Sequence, residues 1–150
     1  MRIMILNGPN LNLLGVRNPA VYGRQSYQEL VDFLLQEAAS LDLELTVRQS
    51  QYEGDLIESL HEAHARDYDG VLLNAGAYTH YAYALHDAIE AINVPVIEVH
   101  LSDLSKREEL WRQKSVLTSV CAARFMGEGF GSYKAALDYC KKTFSTAKKG

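Results

Sequence analysis

Short apolar runs alternate along this chain with longer stretches in which apolar residues recur every three or four positions. The apolar runs predict five strands: Arg2–Leu6, Glu44–Gln49, Gly70–Asn74, Val94–His100 and Val120–Met126. The helical spacing predicts helices at Ser26–Ser40, Asp55–Arg66, His80–Ile92 and Tyr133–Phe144, and a short one at Ser105–Trp111. Because strands that alternate with helices form right-handed βαβ units, the pattern predicts an α/β fold with a parallel sheet covered on both faces.

Two of the predicted helices begin with a capping signal. Ser26 is followed three residues later by Glu29, and Asp55 is followed in the same way by Glu58. At this spacing two side chains satisfy amide groups that a helix start leaves free. We therefore expect capping boxes at both starts.

The segment from Asn7 to Gln25 has no regular periodicity. It contains three glycines and two prolines, and it directly follows the first predicted strand. A loop of this length in a small α/β domain is usually functional, often as a lid over an active site. An irregular excursion without function is the less favoured alternative.

The composition is typical of one compact domain spanning residues 1–150. With 150 residues, 47% of them hydrophobic, the chain can bury a core without metals or disulfides. Cys121 and Cys140 lack C-x-x-C spacing, and the first apolar run is too short for a signal peptide or a membrane span. We expect a soluble cytoplasmic protein with reduced thiols and no membrane partner.

The charge balance argues against a nucleic-acid partner. The formal net charge is −4, whereas binding to phosphate backbones depends on clustered Lys and Arg. The basic pairs Lys141-Lys142 and Lys148-Lys149 lie near the end of the chain. They are more typical of a helix end and a frayed basic tail at 144–150 than of a polyanion site.

Polar residues stand at the ends of several predicted strands. Asn10 follows the first strand, Asn74 ends the third and His100 ends the fourth. Parallel strands end at the same edge of the sheet, so these side chains are expected to converge there. A single asparagine is typical of a turn, and for Asn7-Gly8 a turn is as well supported as a ligand contact. Asn10, Asn74 and His100 together favour a functional role.

His100 has a carboxylate two residues before it. Residues two apart on a strand share a face, so Glu98 is expected to orient the imidazole and to keep it protonated as a general acid. The backbone amides of Leu101 and Ser102 and the Ser102 hydroxyl, which follow, form a plausible cradle for a carboxylate. A lone buried histidine would more often be structural.

Tyr22 lies in the irregular segment between Arg17 and Arg24. A phenol has a pKa near ~10, so a tyrosine acts as a base at neutral pH only beside cations. Arg17 is the first candidate for that cation, and Arg112 is the second. The alternative, that Tyr22 only fills the pocket, remains equally open on spacing alone.

These residues belong to ordered motifs that run through the chain: Leu6–Gly15, Asn74–His80, Ile97–Ser102, Arg107–Glu109 and Gly131–Tyr133, with Arg17, Tyr22-Gly23 and Glu53-Gly54 between them. The chain resembles the type II 3-dehydroquinate dehydratases over essentially its whole length. The resemblance implies a flavodoxin-like three-layer sandwich with a five-stranded parallel sheet. It also implies a hydro-lyase of the shikimate pathway, which leads through chorismate to the aromatic amino acids.

The resemblance implies an anti elimination of water from 3-dehydroquinate through an enolate, with neither metal nor other cofactor. Its implied roles are as follows: Tyr22 is the base, Arg17 lowers its pKa, His100 protonates the leaving hydroxyl, Glu98 supports His100, and Asn10 holds a water at the enolate oxygen. Asn74, Leu101 and Ser102 would bind the carboxylate, and His80 and Arg112 the ring hydroxyls.

The resemblance further implies trimers assembled into a dodecamer, in which Asp87 reaches the site of a neighbouring subunit. Two of the departures from the family pattern concern arginines. The chain is one residue longer between His100 and Ser115, so Arg112 takes the binding position only if the extra residue precedes it. Arg124 interrupts an apolar strand, as either a snorkelling edge residue or a subunit contact.

A flavodoxin-like module that binds a small ligand or a flavin without catalysis is the alternative hypothesis, because a fold alone does not fix a function. Such a module would have no need of a base and an acid. The presence of Tyr22, Arg17, Asn10 and His100 together favours the enzyme.

Overall fold

The computed structural model describes residues 1–147, with the side chains of Tyr22, Thr146 and Ala147 outside the description. Its strands are β1 (Arg2–Asn7), β2 (Glu44–Gln49), β3 (Gly70–Asn74), β4 (Val96–His100) and β5 (Ala123–Met126). Its α-helices are α1 (Pro19–Tyr22), α2 (Tyr27–Ser40), α3 (Glu53–Ala65), α4 (Tyr83–Ala91) and α5 (Phe130–Ala147). Short 3₁₀ turns cover Leu11–Leu13, Gly76–His80, Leu104–Lys106, Leu110–Gln113 and Thr118–Val120.

All five strands are parallel and follow the order β2-β1-β3-β4-β5. This confirms the predicted α/β fold. The direction of winding reverses between β1 and β3, where Asn7 and Asn74 are partners in the last register position. Ligands of open α/β sheets bind outside the carboxyl ends of the strands at such a switch point.

Alternate residues along the strands belong to two separate apolar layers, one on each face of the sheet. Ile3, Ile5, Leu72, Ile97 and Val99 pack against α2 and α5 on one face. Their neighbours along the strands pack against α3 and α4 on the other face: Met4, Leu6, Val71, Leu73 and Val96. By the same alternation, Glu98 and His100 point to the α3/α4 face.

One of the two predicted capping boxes is confirmed. The Ser26 hydroxyl accepts from the Glu29 amide at 3.1 Å, and the Glu29 carboxylate accepts from the Ser26 amide at 2.6 Å. The box at Asp55 is wrong, because α3 already begins at Glu53. Asp55 lies in the first turn, where it accepts from the Ser50 hydroxyl at 2.6 Å and still favours the positive end of the helix dipole.

The last third of the chain differs from its prediction. A 3₁₀ turn replaces the start of the fifth strand, two 3₁₀ turns replace the helix at Ser105–Trp111, and α5 continues to Ala147. The backbone at 144–147 is helical, and the Phe144 ring packs on Tyr139 and reaches Gly70 of β3. The frayed tail expected at 144–150 stays a prediction. Lys148 and Lys149 lie outside the described residues, so the 1–150 domain boundary stays a prediction.

Within residues 1–147, no helix is both long enough and apolar enough to cross a membrane.

Candidate active site

A cleft opens at the carboxyl edge of the sheet, beside the switch point. Loops after three neighbouring strands form it: Pro9 and Leu11 follow β1, Asn74 to His80 follow β3, and His100 to Leu104 follow β4. Seven of the residues predicted for the site line it: Arg17, Asn74, His80, His100, Leu101, Ser102 and Arg112. Asn74 and His100 therefore converge at this edge as predicted, whereas Asn10 is not among the lining residues.

Glu98 and His100 form a buried pair at the end of β4. His100 Nε2 and Glu98 Oε2 are 2.6 Å apart, and their exposed fractions are 5% and 1%. Burial raises the pKa of Glu98, but bonds from His100, Thr118 and Ser115 outweigh burial and lower it below its usual range. Glu98 is therefore an ionised partner that can stabilise an imidazolium, and His100 Nδ1 remains the ring nitrogen available to a ligand.

Asn74 is held from below by a buried tyrosine. Its side-chain amide donates to the Tyr133 phenol oxygen at 2.9 Å, and that hydroxyl donates to Asn7 Oδ1 at 2.6 Å. Asn74 Oδ1 accepts from the Gly76 amide at 3.3 Å. These bonds fix the amide group, leaving the second Asn74 N–H as a donor at the cleft.

Ser102 lies next to a guanidinium group that the sequence reasoning did not assign to the site. Arg107 Nη1 donates to the Ser102 hydroxyl at 3.4 Å, and Arg107 lines the cleft. The motif Arg107–Glu109 was the sequence signal for Arg107, but it did not indicate that the Arg107 side chain points to the cleft. Together with Arg17 and Arg112, Arg107 gives the cleft three cations, a setting that favours an anionic ligand.

The loops after β1 and β3 touch at a glycine. The Gly8 amide donates to the Asn74 carbonyl at 2.7 Å, and a Cβ at Gly8 would lie 2.5 Å from the Ala75 carbonyl oxygen. Only glycine permits this approach. The base of the irregular segment is thus fixed to the loop that presents Asn74.

His80 and Arg112 are arranged around Trp111, a residue that the sequence reasoning did not assign. The His80 and Trp111 rings meet edge to face at 5.3 Å, and Arg112 Cζ lies 4.1 Å from the Trp111 ring centroid. Glu109 forms an ion pair with Arg112. Arg112 lies in the turn Leu110–Gln113 and lines the cleft.

His80 has a defined tautomer. The Lys114 carbonyl lies 2.6 Å from His80 Nδ1, so Nδ1 is the donor and Nε2 is left as an acceptor. Burial lowers the pKa of His80, and the bond to Lys114 opposes this effect but is weaker. The charges of His100, Arg112 and Arg107 lower the pKa further. His80 is therefore neutral at pH 7 and able to accept from a ligand hydroxyl.

The irregular segment is anchored at its start and exposed further on. Leu11 and Leu14 pack into the α2/α5 layer, whereas the Val16 side chain is 78% exposed. Arg17 lines the cleft, and with Val21 it also lines an adjoining cavity that Arg107 and Arg112 share. The backbone of Tyr22 ends α1, but its side chain lies outside the described residues, so its predicted place stays a prediction.

Two predicted residues lie away from the described lining of the cleft. Asn10 is exposed, has a left-handed φ of 67°, and donates its backbone amide to Gln51 Oε1 at 2.8 Å. Asp87 is on α4 with 80% of its side chain exposed. Asp87 is thus accessible to another molecule rather than to its own cleft.

A larger groove between β2 and α3 holds a different set of charges. Arg48 donates to both carboxylate oxygens of Glu62, at 2.7 and 2.9 Å. The Arg48 bonds lower the pKa of Glu62 although burial opposes them. The pair is mutually satisfied, so this groove has weaker signs of a site than the cleft.

The fold and the cleft define a doubly wound α/β protein with a buried carboxylate–histidine pair beside a cleft lined by three arginines. The family model described as class II dehydroquinase matches residues 1–141, and the chain belongs to that family. This confirms the family resemblance found in the motifs.

Relatives and solved structures agree with the assignment. The 3-dehydroquinate dehydratase of Bacillus licheniformis is 52% identical over 141 residues, covering 94% of this chain and 96% of the relative. That of Clostridium perfringens is 43% identical over 142 residues, covering 95% and 97%. The type II dehydroquinase of Butyrivibrio crossotus has a TM-score of 0.91 at 39% identity, covering 93% of this chain and 97% of that structure.

Proposed function

We propose that this protein is a hydro-lyase that dehydrates 3-dehydroquinate to 3-dehydroshikimate in the shikimate pathway. The observation that carries the proposal is the buried Glu98–His100 pair, 2.6 Å apart, at the edge of a cleft lined by cations in a chain of this family. A proton donor held beside an ionised carboxylate suits the loss of a poor leaving group such as hydroxide. The flavin-binding alternative is not favoured.

In the proposed reaction, Tyr22 as tyrosinate removes the proton from the carbon beside the ketone, and an enolate forms. The enolate then collapses, the C–O bond breaks, and a proton from His100 converts the leaving hydroxide to water. Tyr22 returns its proton to solvent and His100 regains one, so the cycle balances without a metal or another cofactor. Arg17 would hold Tyr22 in its anionic form, because a nearby cation lowers the pKa of a phenol.

The remaining residues would bind the substrate. The carboxylate would lie on Asn74 and on the turn of Leu101 and Ser102, while His80 and Arg112 would contact the ring hydroxyls. Asn10, at the start of the irregular segment, would hold a water against the enolate oxygen. Fixed donors around developing charge are worth several kcal/mol in such sites, roughly 3–4 for one lost oxyanion donor.

The proposal extends to assembly and location. We propose trimers packed into a dodecamer, with Asp87 entering the cleft of a neighbouring subunit, which its exposure on α4 supports. The protein would work in the cytoplasm, where the unpaired Cys121 and Cys140 remain reduced. Sedimentation of the purified protein tests the assembly, and a monomer with full activity contradicts it.

A direct assay tests the function. Purified protein with 3-dehydroquinate should produce the absorbance of a conjugated enone, and Tyr22→Phe and His100→Ala should each lose turnover while keeping the circular dichroism of the parent. Arg66→Ala, an exposed change just after the end of α3, serves as the control. A parent protein that makes no enone refutes the proposal, and inactivation by borohydride with substrate would indicate an imine-forming lysine instead.

A further inference from the structure

Arg124, the charged residue in an otherwise apolar strand, lies directly beside Glu98 in the sheet. In the pairing of β4 with β5, Glu98 and Arg124 are register partners, so their side chains share the α3/α4 face. β5 is the edge strand of the sheet. Arg124 is therefore exposed to solvent, whereas Glu98, one strand inward, is buried.

Thr118 bridges the two residues. Arg124 Nη1 donates to Thr118 Oγ1 at 3.2 Å, and the Thr118 hydroxyl donates in turn to Glu98 Oε1 in a short hydrogen bond. The other oxygen of Glu98 pairs with His100. A continuous chain of side-chain contacts thus leads from the sheet edge to the proposed acid.

The chemistry of the groups fixes the direction of this chain. A guanidinium has donors but no acceptor, so Thr118 must accept from Arg124. The one hydroxyl proton of Thr118 is then directed to Glu98, which as a carboxylate only accepts. Each bond polarises the next, so the cation at the edge strengthens the donor that faces Glu98.

We propose that Arg124 is a positioning residue for the acid His100, acting through the Thr118 hydroxyl to keep Glu98 ionised and oriented. Arg124 does not belong to the described lining of the cleft and touches no proposed substrate position. This inference rests on the proposed function, in which His100 is the proton donor. It replaces the two earlier readings of Arg124 as a snorkelling residue or a subunit contact.

The other groups near Glu98 leave this role open to Arg124. Ser115 is neutral, and burial, aided by the Glu98 charge, raises the pKa of Cys121 to about 12, so that thiol stays protonated. His100 occupies the opposite carboxylate oxygen. Arg124 is thus the cation connected to Glu98 from the side away from the cleft.

Infrared titration tests the relay without reference to activity. The carbonyl stretch of the protonated Glu98 carboxyl, assigned by its loss in Glu98→Gln, should appear in Arg124→Ala at a pH about one unit higher than in the parent, a tenfold change in proton affinity. Arg124→Lys, which keeps the charge and the donor, should restore the parent titration. An unchanged titration in Arg124→Ala overturns the relay whatever the activity.

Kinetics test whether the relay serves the acid. Arg124→Ala should lower kcat about five- to tenfold with KM within about twofold, and the alkaline limb of its kcat–pH profile should move to lower pH. Thr118→Val should lower kcat at least as much, whereas Thr118→Ser should retain the parent kcat. Because Arg124 and Thr118 act through one path, adding Arg124→Ala to Thr118→Val should lower kcat no further. Additive losses, or an unchanged kcat beside a shifted titration, overturn the positioning role.

A separate measurement tests whether Arg124 is instead a contact between subunits. Sedimentation should give the same mass for Arg124→Ala and the parent protein, and a change of mass that accounts for the loss of kcat overturns the proposal. If the parent protein itself fails to dehydrate 3-dehydroquinate, the proposed function fails, while the infrared titration still decides the relay.

Discussion

Asn74 and Tyr133 are 59 positions apart in the chain, yet the Asn74 amide donates to the Tyr133 phenol oxygen at 2.9 Å inside the core. The same hydroxyl donates to Asn7, so one phenol on α5 joins the ends of β1 and β3 beneath the cleft. Burial raises the pKa of Tyr133, which remains a neutral donor. The position of the Asn74 amide, which we propose binds the substrate carboxylate, therefore depends on α5.

Tyr133→Phe tests that dependence. The change leaves Asn7 Oδ1 and one Asn74 N–H without their partner, so the free energy of unfolding should fall by about 1–3 kcal/mol and KM should rise. Urea denaturation and steady-state kinetics measure the two effects. Tyr139→Phe, on the same helix with its ring against Phe125 and Phe144, should change neither by a comparable amount.

Glu98→Gln removes the negative charge beside His100 and keeps the shape of the Glu98 side chain. Without the carboxylate, the imidazolium loses its main stabilisation, so kcat should fall about 10- to 100-fold while KM changes little. Steady-state kinetics across pH measure this effect. The control is Glu58→Gln on the exposed face of α3, and equal kcat values for the two variants would contradict the acid-supporting role of Glu98.

Trp111→Ala should weaken substrate binding rather than chemistry. Its ring holds His80 by edge-to-face packing and Arg112 by a cation–π contact, so its loss should raise KM about tenfold, or ~1.4 kcal/mol. Leu110→Ala, one residue earlier and 74% exposed, is the matched control. A fall confined to kcat would show that Trp111 has another role.

His80 predicts a pH dependence of KM. Because burial lowers its pKa below 6.5, the folded protein binds fewer protons at this site than the unfolded chain. The His80 contribution to stability is therefore present above pH 6.5 and decreases as the pH falls through the range between the unfolded and the folded pKa.

Below that range, protonated His80 loses its Nε2 acceptor, so KM should be flat from pH 7 to 8 and should rise in acid. A KM–pH profile of the parent and of His80→Ala measures this, with His61→Ala on exposed α3 as the control. An acid rise that persists in His80→Ala contradicts the assignment.

The sequence was sufficient for the number and order of the strands, for the convergence of Asn74 and His100 and for the pairing of Glu98 with His100, because these follow from period and strand direction. It was insufficient for Trp111, Arg107 and Tyr133. Their roles depend on how 3₁₀ turns and α5 pack against the sheet, contacts that no local pattern encodes. The capping box at Asp55 was wrong because α3 starts two residues earlier, with no side-chain cap.

Arg124 shows a different kind of gap. The sequence marked it as exceptional in its strand but could not relate it to Glu98, because that relation needs the register of β4 with β5 and the turn that delivers Thr118. The role of a polar residue in an apolar strand can therefore be assigned only once the pairing of the strands is known.

The contact between Gly8 and the Ala75 carbonyl has a consequence for motion. This contact fixes the start of the irregular segment to the loop after β3 that forms the floor of the cleft. Buried Leu11 and Leu14 fix the residues that follow. The first glycine beyond these residues is Gly15, whose φ of 84° is a left-handed conformation that glycine adopts without strain. We expect the hinge at Gly15, so that the loop bearing Arg17 and Tyr22 swings open while the anion-binding floor remains assembled for the next substrate.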